Sequence, residues 1–276
     1  MLGFKEVSTK FRKLKKGQLE FLDEPFILSV EKKGVNFEFL IRVNKSSDKA
    51  IALGSGAYDA TSDLNPPIFQ RHKWMKHFGE NLIYYNDPTL YAGQINIGWG
   101  FGDKKRHYLS EIAEIIDILL SLMGIDRKKT LFYGSSAAGY MSLMLGGFLQ
   151  GSSVLVNNPQ TIVWNYYDRH VNSMFKATLP KLTREQIIER YPKRLNVAEF
   201  YKDIEYVPPI RYLQNLSSTR DVDKHMNPFF SGIAGLEDRV YSQAIDLVLY
   251  ANAELGHSPL SAKDSLYYIN KTLDEM

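Results

Sequence analysis

The sequence predicts an α/β fold with a mostly parallel, doubly wound sheet. Three observations support this prediction. Short apolar runs alternate with helical patterns, turn residues end several of these runs, and the chain has enough apolar residues for one large core. The chain has 276 residues, of which 44% are hydrophobic and 24% charged, as is typical of a globular protein. We therefore expect one domain spanning residues 1–276.

Seven segments have the pattern of strands. In the first, 36–43, apolar and polar side chains alternate, as in a half-buried strand, and the others are short apolar runs. Gly54-Ser55-Gly56 ends the second strand and Asn86-Asp87-Pro88 ends the third. The predicted strands are 36–43, 49–53, 81–85, 130–133, 153–157, 209–214 and 246–250.

Three segments have the pattern of helices. Apolar residues between Leu109 and Met123 recur at steps of three and four, and Gly124 is a natural stop for that helix. We expect two further helices, at 137–149 and 260–273. Residues 160–205 contain no convincing strand but many aromatic and charged residues. We interpret them as a helical lid inserted over the edge of the sheet.

Composition excludes several classes of function. The net charge of +3 is too small to indicate nucleic-acid binding, and without cysteine there is no disulfide or thiolate chemistry. No nucleotide-binding glycine motif and no metal-ligand spacing is present, so we expect no cofactor and no metal. The N-terminus lacks a signal-peptide pattern, which favours a cytoplasmic protein. The basic cluster 10–16 either is solvated or contacts an acidic membrane surface or a biosynthesis complex.

The stretch 134–138 has the spacing of a nucleophile elbow. In this turn from strand to helix, the residues two before and two after the serine must be small so that the backbones do not collide. Gly134 and Ala138 flank Ser136 at that spacing, which selects Ser136 over Ser135. The alternative is a structural tight turn without a catalytic role, in which the small residues allow helix and strand to pack. As a nucleophile, Ser136 would have the amide of Ala137 directed at the developing oxyanion.

A base and an acid follow in the order expected for this fold class, Ser, Asp and His. Three of the six histidines precede Ser136, and His170 falls in the predicted insertion, which leaves His225 and His257. His257 follows the last strand by a short loop, so we expect it to be the base. Asp221 and Asp223 both follow the preceding strand. We favour Asp221, because Asp223 is placed to cap the next helix.

Two more groups complete the predicted site. The loop of Gly54, Ser55, Gly56 and Ala57 after the second strand is expected to supply another oxyanion donor. Trp99 and Trp164 are candidates for stacking on sugar rings, with core packing as the alternative. Asp59 and Asp87 also follow strands, and turn residues are the simpler interpretation of both.

With these residues the chain resembles the α/β-hydrolase superfamily from about residue 36 to the end. The stretches FYGSSAAGYMSLMLG, VNNPQT, NDPTLY and GWGFG are also similar to hydrolase-like proteins of bacterial surface-polysaccharide loci and to accessory-secretion proteins that O-acetylate glycoproteins. Ala138 departs from the glycine typical of the elbow.

The resemblance and the predicted triad together imply a function. We expect a serine esterase or O-acyltransferase, with a glycan or glycoconjugate as its partner and substrate. The alternative is a non-catalytic accessory protein of a polysaccharide or glycoprotein-secretion complex with the same fold. The sequence leaves open whether water or a sugar hydroxyl accepts the acyl group, and it leaves the oligomeric state unknown.

Overall fold

A sheet of nine strands forms the centre of this computed structural model, which describes residues 3–59 and 64–276. Residues 1–2 and 60–63 of the predicted domain lie outside the described part. The strands are β1 (Lys5–Lys10), β2 (Phe26–Lys32), β3 (Val35–Arg42), β4 (Ala50–Gly54), β5 (Asn81–Tyr85), β6 (Thr130–Ser135), β7 (Ser153–Pro159), β8 (Ile210–Asn215) and β9 (Asp246–Tyr250).

The order of the strands is that of a doubly wound sheet. Across the sheet it is β1-β2-β3-β5-β4-β6-β7-β8-β9. Only β3 is antiparallel to its neighbours β2 and β5, and the other pairs are parallel. The predicted mostly parallel α/β sheet is therefore confirmed. Because β4 and β6 to β9 run in the same direction, their carboxyl ends meet at one edge.

All seven predicted strands are present with small shifts at their ends, but β1 and β2 were not predicted. β1 is an edge strand whose side chains are all at least partly exposed, so it lacks a strong apolar pattern. β2 pairs with β3 through a two-residue turn at Lys33 and Gly34, both with positive φ. Such a turn is typical of a β-hairpin, and the lysine in its first position weakened the sequence signal.

Helices cover both faces of the sheet. They are α1 (Phe11–Lys15), α2 (Tyr108–Met123), α3 (Ser136–Phe148), α4 (Asp168–Thr178), α5 (Arg184–Arg190), α6 (Val197–Ile204), α7 (Thr219–Asp221), α8 (Asn227–Ile233) and α9 (Ala262–Asp274). Residues of α2, α3, α6 and α8 belong to the larger core on one face, and residues of α9 belong to the smaller core on the other. The predicted periodic residues of α2 are buried from Leu109 to Leu120, and Gly124 ends the helix with φ 71°.

The predicted insertion consists of helices α4, α5 and α6 with their connections. It starts directly after β7, at the carboxyl edge of the sheet, and its last helix, α6, packs against α3 and α8. That helix therefore covers the sheet in the manner of an ordinary crossover helix. A lid function for the whole of 160–205 stays a prediction.

The basic N-terminal cluster contains the end of β1 and helix α1. Leu14 of this helix is fully buried, and the Lys32 ammonium lies 4.3 Å from the centre of the Phe11 ring. Arg12, Lys13 and Lys15 stay exposed, so contact with an anionic surface stays a prediction. No helix in the described ranges combines the length and the apolar character needed to cross a membrane.

We predict that the Gly134→Ala variant is destabilised by about 1–3 kcal/mol, because a Cβ at this position would lie 2.3 Å from the backbone C and O atoms of Ala138. The measurement is the denaturant midpoint of unfolding. Gly79→Ala is the control, since a Cβ there meets nothing within 4 Å. Equal midpoints for the two variants would contradict the close approach of strand and helix.

Candidate active site

The turn between β6 and α3 has the strained geometry of a nucleophile elbow. Ser136 is the first residue of α3 and has a φ of 54°, which is unusual for a residue with a side chain. Strand and helix come so close that Gly134 has no room for a Cβ beside Ala138. The backbone therefore holds the Ser136 hydroxyl at the carboxyl edge of the sheet.

The alanine at 138 has a structural explanation. Ala138 is fully buried and its own methyl group is accommodated in the core, whereas the next residue, Gly139, has no such room. A Cβ on Gly139 would lie 2.7 Å from Cβ of Pro159, the last residue of β7. In this chain the second required glycine of the elbow is thus displaced by one residue.

The three side chains expected from chain order lie in hydrogen-bond contact. His257 Nε2 is 2.9 Å from the Ser136 hydroxyl, and His257 Nδ1 is 2.7 Å from Asp221 Oδ2. Asp221 is 4% exposed, and the hydroxyl of Ser218 donates to the same carboxylate oxygen at 2.6 Å. This chain of contacts suits proton transfer from the serine hydroxyl to the imidazole, with the carboxylate orienting the ring.

The other candidates are placed elsewhere. Asp223 is exposed, two residues beyond Asp221. The hydroxyl of Ser135 accepts a hydrogen bond from Arg71 at 2.7 Å. His225 is buried, and its Nδ1 accepts the amide of Thr161 at 3.3 Å. Burial lowers the pKa of His225 to about 4, so this ring is neutral at pH 7, with its proton on Nε2.

Two of the four predicted oxyanion residues after β4 serve other purposes. Gly54 is the last residue of β4 and pairs with Tyr85, and a Cβ on Gly54 would collide with the Tyr85 ring. The hydroxyl of Ser55 donates to the carbonyl of Ile68 and accepts the amide of Gln70. Gly54 is thus required by packing, and the Ser55 side chain fixes the loop.

The remaining part of this loop lies beside the elbow. The amide of Gly56 donates to Gln70 Oε1 at 3.0 Å, which corrects the expectation that it faces an oxyanion. The amides of Ala57 and Ala137 have no hydrogen-bond acceptor among the described residues. Of the predicted oxyanion donors, the amides of Ala57 and Ala137 are therefore the two that stay candidates.

Trp99 does not have the role expected from the sequence. Its side chain is 1% exposed, so its ring has no face free for a sugar. Its Nε1 donates to Gln160 Oε1, and Gln160 Nε2 donates to the Ser136 hydroxyl at 3.1 Å. Trp99 orients the Gln160 amide that contacts the serine. Gln160 was not singled out, although it stands in the quoted stretch VNNPQT.

An aromatic row leads from Trp99 to the surface. The ring centre of Tyr166 is 5.8 Å from that of Trp99 and 4.9 Å from that of Tyr167, which is 51% exposed. The Arg220 guanidinium lies 4.3 Å from the centre of the Tyr167 ring. Trp164 is half-buried and packs against the larger core. The exposed ring of this row is therefore Tyr167, with Arg220 against it, and not one of the tryptophans expected from the sequence.

Buried asparagines hold the loop that carries His257. Asn158, fully buried with φ 42°, donates through Nδ2 to the carbonyls of His257 at 3.3 Å and Ser258 at 3.2 Å. Its Oδ1 accepts the amide of Asn215 at 2.8 Å. The ends of β7 and β8 are thereby joined to the histidine loop.

Asn215 and Asn157 extend the same network. Asn215 Nδ2 donates to the carbonyls of Asn252 at 2.7 Å and Gly256 at 2.9 Å, and Asn157 Oδ1 accepts the amide of Leu260 at 2.7 Å. Residues 251–254 are exposed, so these bonds replace an apolar core for the loop. The sequence signal that could have indicated this network is the pair Asn157 and Asn158 at the end of a buried strand.

No group of three or more His, Asp, Glu or Cys in the described ranges could hold a metal ion.

Comparisons with solved structures identify the fold. The structure is similar to the capsule O-acetyltransferase of Neisseria meningitidis serogroup A, with a TM-score of 0.69, 13% identity and coverage of 88% of this chain and 96% of that one. A histidine-to-alanine mutant of that enzyme in complex with CoA is similar with a TM-score of 0.68, 14% identity and coverage of 90% of this chain and 94% of that one. An S-formylglutathione hydrolase from Agrobacterium tumefaciens is similar with a TM-score of 0.56, 14% identity and coverage of 93% of this chain and 94% of that one.

A further similar structure is the Glycosylation Associate Protein (Gap123) complex from Streptococcus agalactiae, with a TM-score of 0.57, 14% identity and coverage of 90% of this chain and 45% of that one. No protein-family model and no curated protein matches the sequence. At these identities the likeness concerns the fold. The strand order, the elbow and the structural neighbours together show that the chain has the α/β-hydrolase fold.

Proposed function

We propose that this protein is a serine esterase or O-acyltransferase that acts through an acyl-enzyme. The observation that carries the proposal is the continuous hydrogen-bond chain from Ser136 through His257 to the buried Asp221. It begins on a strained elbow at the carboxyl edge of the sheet, where enzymes of doubly wound folds bind their ligands.

The chemistry follows from the positions of these groups. Ser136 Oγ attacks the acyl carbonyl while its proton passes to His257 Nε2, and Asp221 stabilises the imidazolium. The amides of Ala57 and Ala137 stabilise the oxyanion. The tetrahedral intermediate collapses, the leaving group takes the proton from His257, and the acyl group stays on Ser136 as an ester. In the second half, His257 deprotonates water or an alcohol, which attacks this ester and restores the serine.

We infer that the acyl acceptor or substrate is a bacterial surface glycan or glycoconjugate. Two observations support this inference. Similar structures include a capsule O-acetyltransferase and a glycosylation-associated complex. The exposed ring of Tyr167, at the end of the row that starts beside Gln160, is a surface on which the apolar face of a sugar ring can pack. Because a mutant of the capsule enzyme binds CoA, an acyl-CoA is the donor to test.

On this proposal the protein works in the cytoplasm, where acyl-CoA is made. Its basic residues Arg12, Lys13 and Lys15 would contact an acidic membrane surface or a biosynthesis complex. The competing function is that of a non-catalytic partner in a glycosylation complex, which the likeness to the Gap123 complex favours. A triad that is present but inert toward esters and toward serine-directed probes would support this second function.

We predict that a fluorophosphonate probe adds one phosphonyl group to the wild-type protein and none to Ser136→Ala, as measured by intact mass. Ser135→Ala is the matched control and keeps the label, because the Ser135 hydroxyl contacts Arg71 and not His257. Ester turnover by Ser136→Ala falls on the order of a million-fold. An unlabelled wild-type protein would contradict the catalytic proposal.

For the acid, we predict that Asp221→Asn lowers kcat by roughly ten-thousandfold, because an amide in place of the carboxylate no longer stabilises the imidazolium. Asp223→Asn makes the same chemical change at an exposed position and keeps nearly full activity. The measurement is the hydrolysis of p-nitrophenyl acetate. Similar losses in both variants would mean that the acid is assigned wrongly.

On the substrate, we predict a preference for short acyl chains and sugar leaving groups over long-chain esters and peptide amides. Tyr167→Ala raises KM for acetylated sugars by about two- to tenfold, the value of one aromatic contact, and leaves KM for p-nitrophenyl acetate unchanged. Tyr267→Ala is the control, since Tyr267 is 60% exposed on α9, a helix that packs on the smaller core, whereas the row of Trp99 and Tyr166 belongs to the larger core. Rates that rise with acyl chain length would indicate a lipase instead.

A further inference from the structure

Arg71 contacts the residue that precedes the elbow serine. It adopts a left-handed backbone conformation, with φ 62°, and precedes a short helical segment, 72–77. Its Nη2 donates at 2.7 Å to the hydroxyl of Ser135, the buried residue immediately before Ser136. A cationic side chain therefore stands one residue away from the serine of the candidate site.

The neighbouring residue connects this cation to the loop of the oxyanion donors. Gln70 accepts the amide of Gly56 at 3.0 Å and donates to the carbonyl of Ala57 at 3.1 Å. A Cβ on Gly56 would lie 3.6 Å from the carbonyl oxygen of Ser135, so loop and elbow are in contact. Arg71 thus lies on the side of the site where the carbonyl oxygen of a bound acyl group is expected.

The charge of Arg71 has no carboxylate partner among the described residues. Arg106, Arg127 and Arg211 each form ion pairs with acidic side chains, whereas the hydrogen bonds found for the Arg71 guanidinium go to one neutral hydroxyl. Its Cζ lies 5.4 Å from the ring centre of Trp74 and 5.6 Å from that of Tyr133. These rings fix the guanidinium but leave most of its five N–H donors unused.

We propose that Arg71 binds an anionic group, a phosphate or a carboxylate, of a molecule that reacts at Ser136, either the acyl donor or the acyl acceptor. The planar guanidinium suits both groups, since it can form two parallel hydrogen bonds to their oxygens. Arg71 is half-buried, so part of the residue stays accessible to a ligand. This proposal rests on the proposed function and adds a substrate class to it. The anion belongs either to the phosphates of an acyl-CoA donor or to an anionic glycan acceptor.

The test compares kcat/KM for pairs of substrates that differ in charge. Acetyl-CoA and the neutral S-acetylpantetheine examine the donor, and N-acetylglucosamine 6-phosphate and N-acetylglucosamine examine the acceptor. For Arg71→Gln we expect the ratio of anionic to neutral kcat/KM to fall about ten- to a hundredfold in one of the two pairs, the value of a charged hydrogen bond. The pair that responds identifies which molecule carries the anion.

Two variants serve as controls. Lys73→Gln removes the same charge from an exposed neighbour and leaves both ratios unchanged, while Arg71→Lys restores part of the lost ratio. Since each ratio is taken on one protein sample, a loss of folded protein cancels. Equal losses with anionic and neutral substrates, or no loss at all, would overturn the proposal.

A binding measurement separates this proposal from the catalytic one. Titration calorimetry with inorganic phosphate on Ser136→Ala requires no turnover. Phosphate binding that disappears in the double variant Ser136→Ala/Arg71→Gln supports an anion site even if the protein proves inert toward esters. Identical binding in the single and double variants overturns the site, whatever the activity of the wild-type protein.

Discussion

The candidate site depends on one close contact, the approach of strand β6 to helix α3 at the elbow. Gly134 lies directly against the backbone of Ala138, and Gly139 lies against Pro159. Without side chains at these two points, the chain reverses within two residues and holds Ser136 at φ 54°. The surrounding core is fully buried, and such dense packing can hold a strained backbone conformation that an isolated turn would relax.

The second requirement is to hold a histidine on an exposed loop. Residues 251–254 of the loop after β9 are exposed, and hydrophobic packing reaches this loop only at its end, where Leu260 contacts the smaller core. Asn158 and Asn215 instead bind its carbonyl groups from within the sheet edge. Buried amides are costly to leave unsatisfied, so each of these bonds favours a single loop conformation. The His257 ring is thereby held between Ser136 and Asp221.

Polar contacts around Ser136 give Trp99 a role other than the sugar stacking expected from the sequence. Trp99 is surrounded by core residues, and its single polar atom donates to Gln160, which in turn donates to Ser136. In the sequence, a tryptophan between two glycines suggests an exposed ring on which a sugar can stack. In the structure, the glycines provide space, since Gly98 and Gly100 pack closely against Thr89 and Leu109. The exposed ring is Tyr167, at the outer end of the same row.

The sequence by itself determined the mostly parallel sheet and its strands β3 to β9, because these segments carry apolar runs or an apolar–polar alternation that is visible without a structure. It also determined the small residues of the elbow, since the steric need lies within five consecutive positions. Tertiary structure alone decided between Asp221 and Asp223, which are two residues apart in one loop. It also decided that Gly56 is bound by Gln70, that Asn158 binds the carbonyls of His257 and Ser258, and that Arg71 contacts Ser135. These contacts join residues far apart in the chain, and only the relative placement of strand ends determines which polar groups meet.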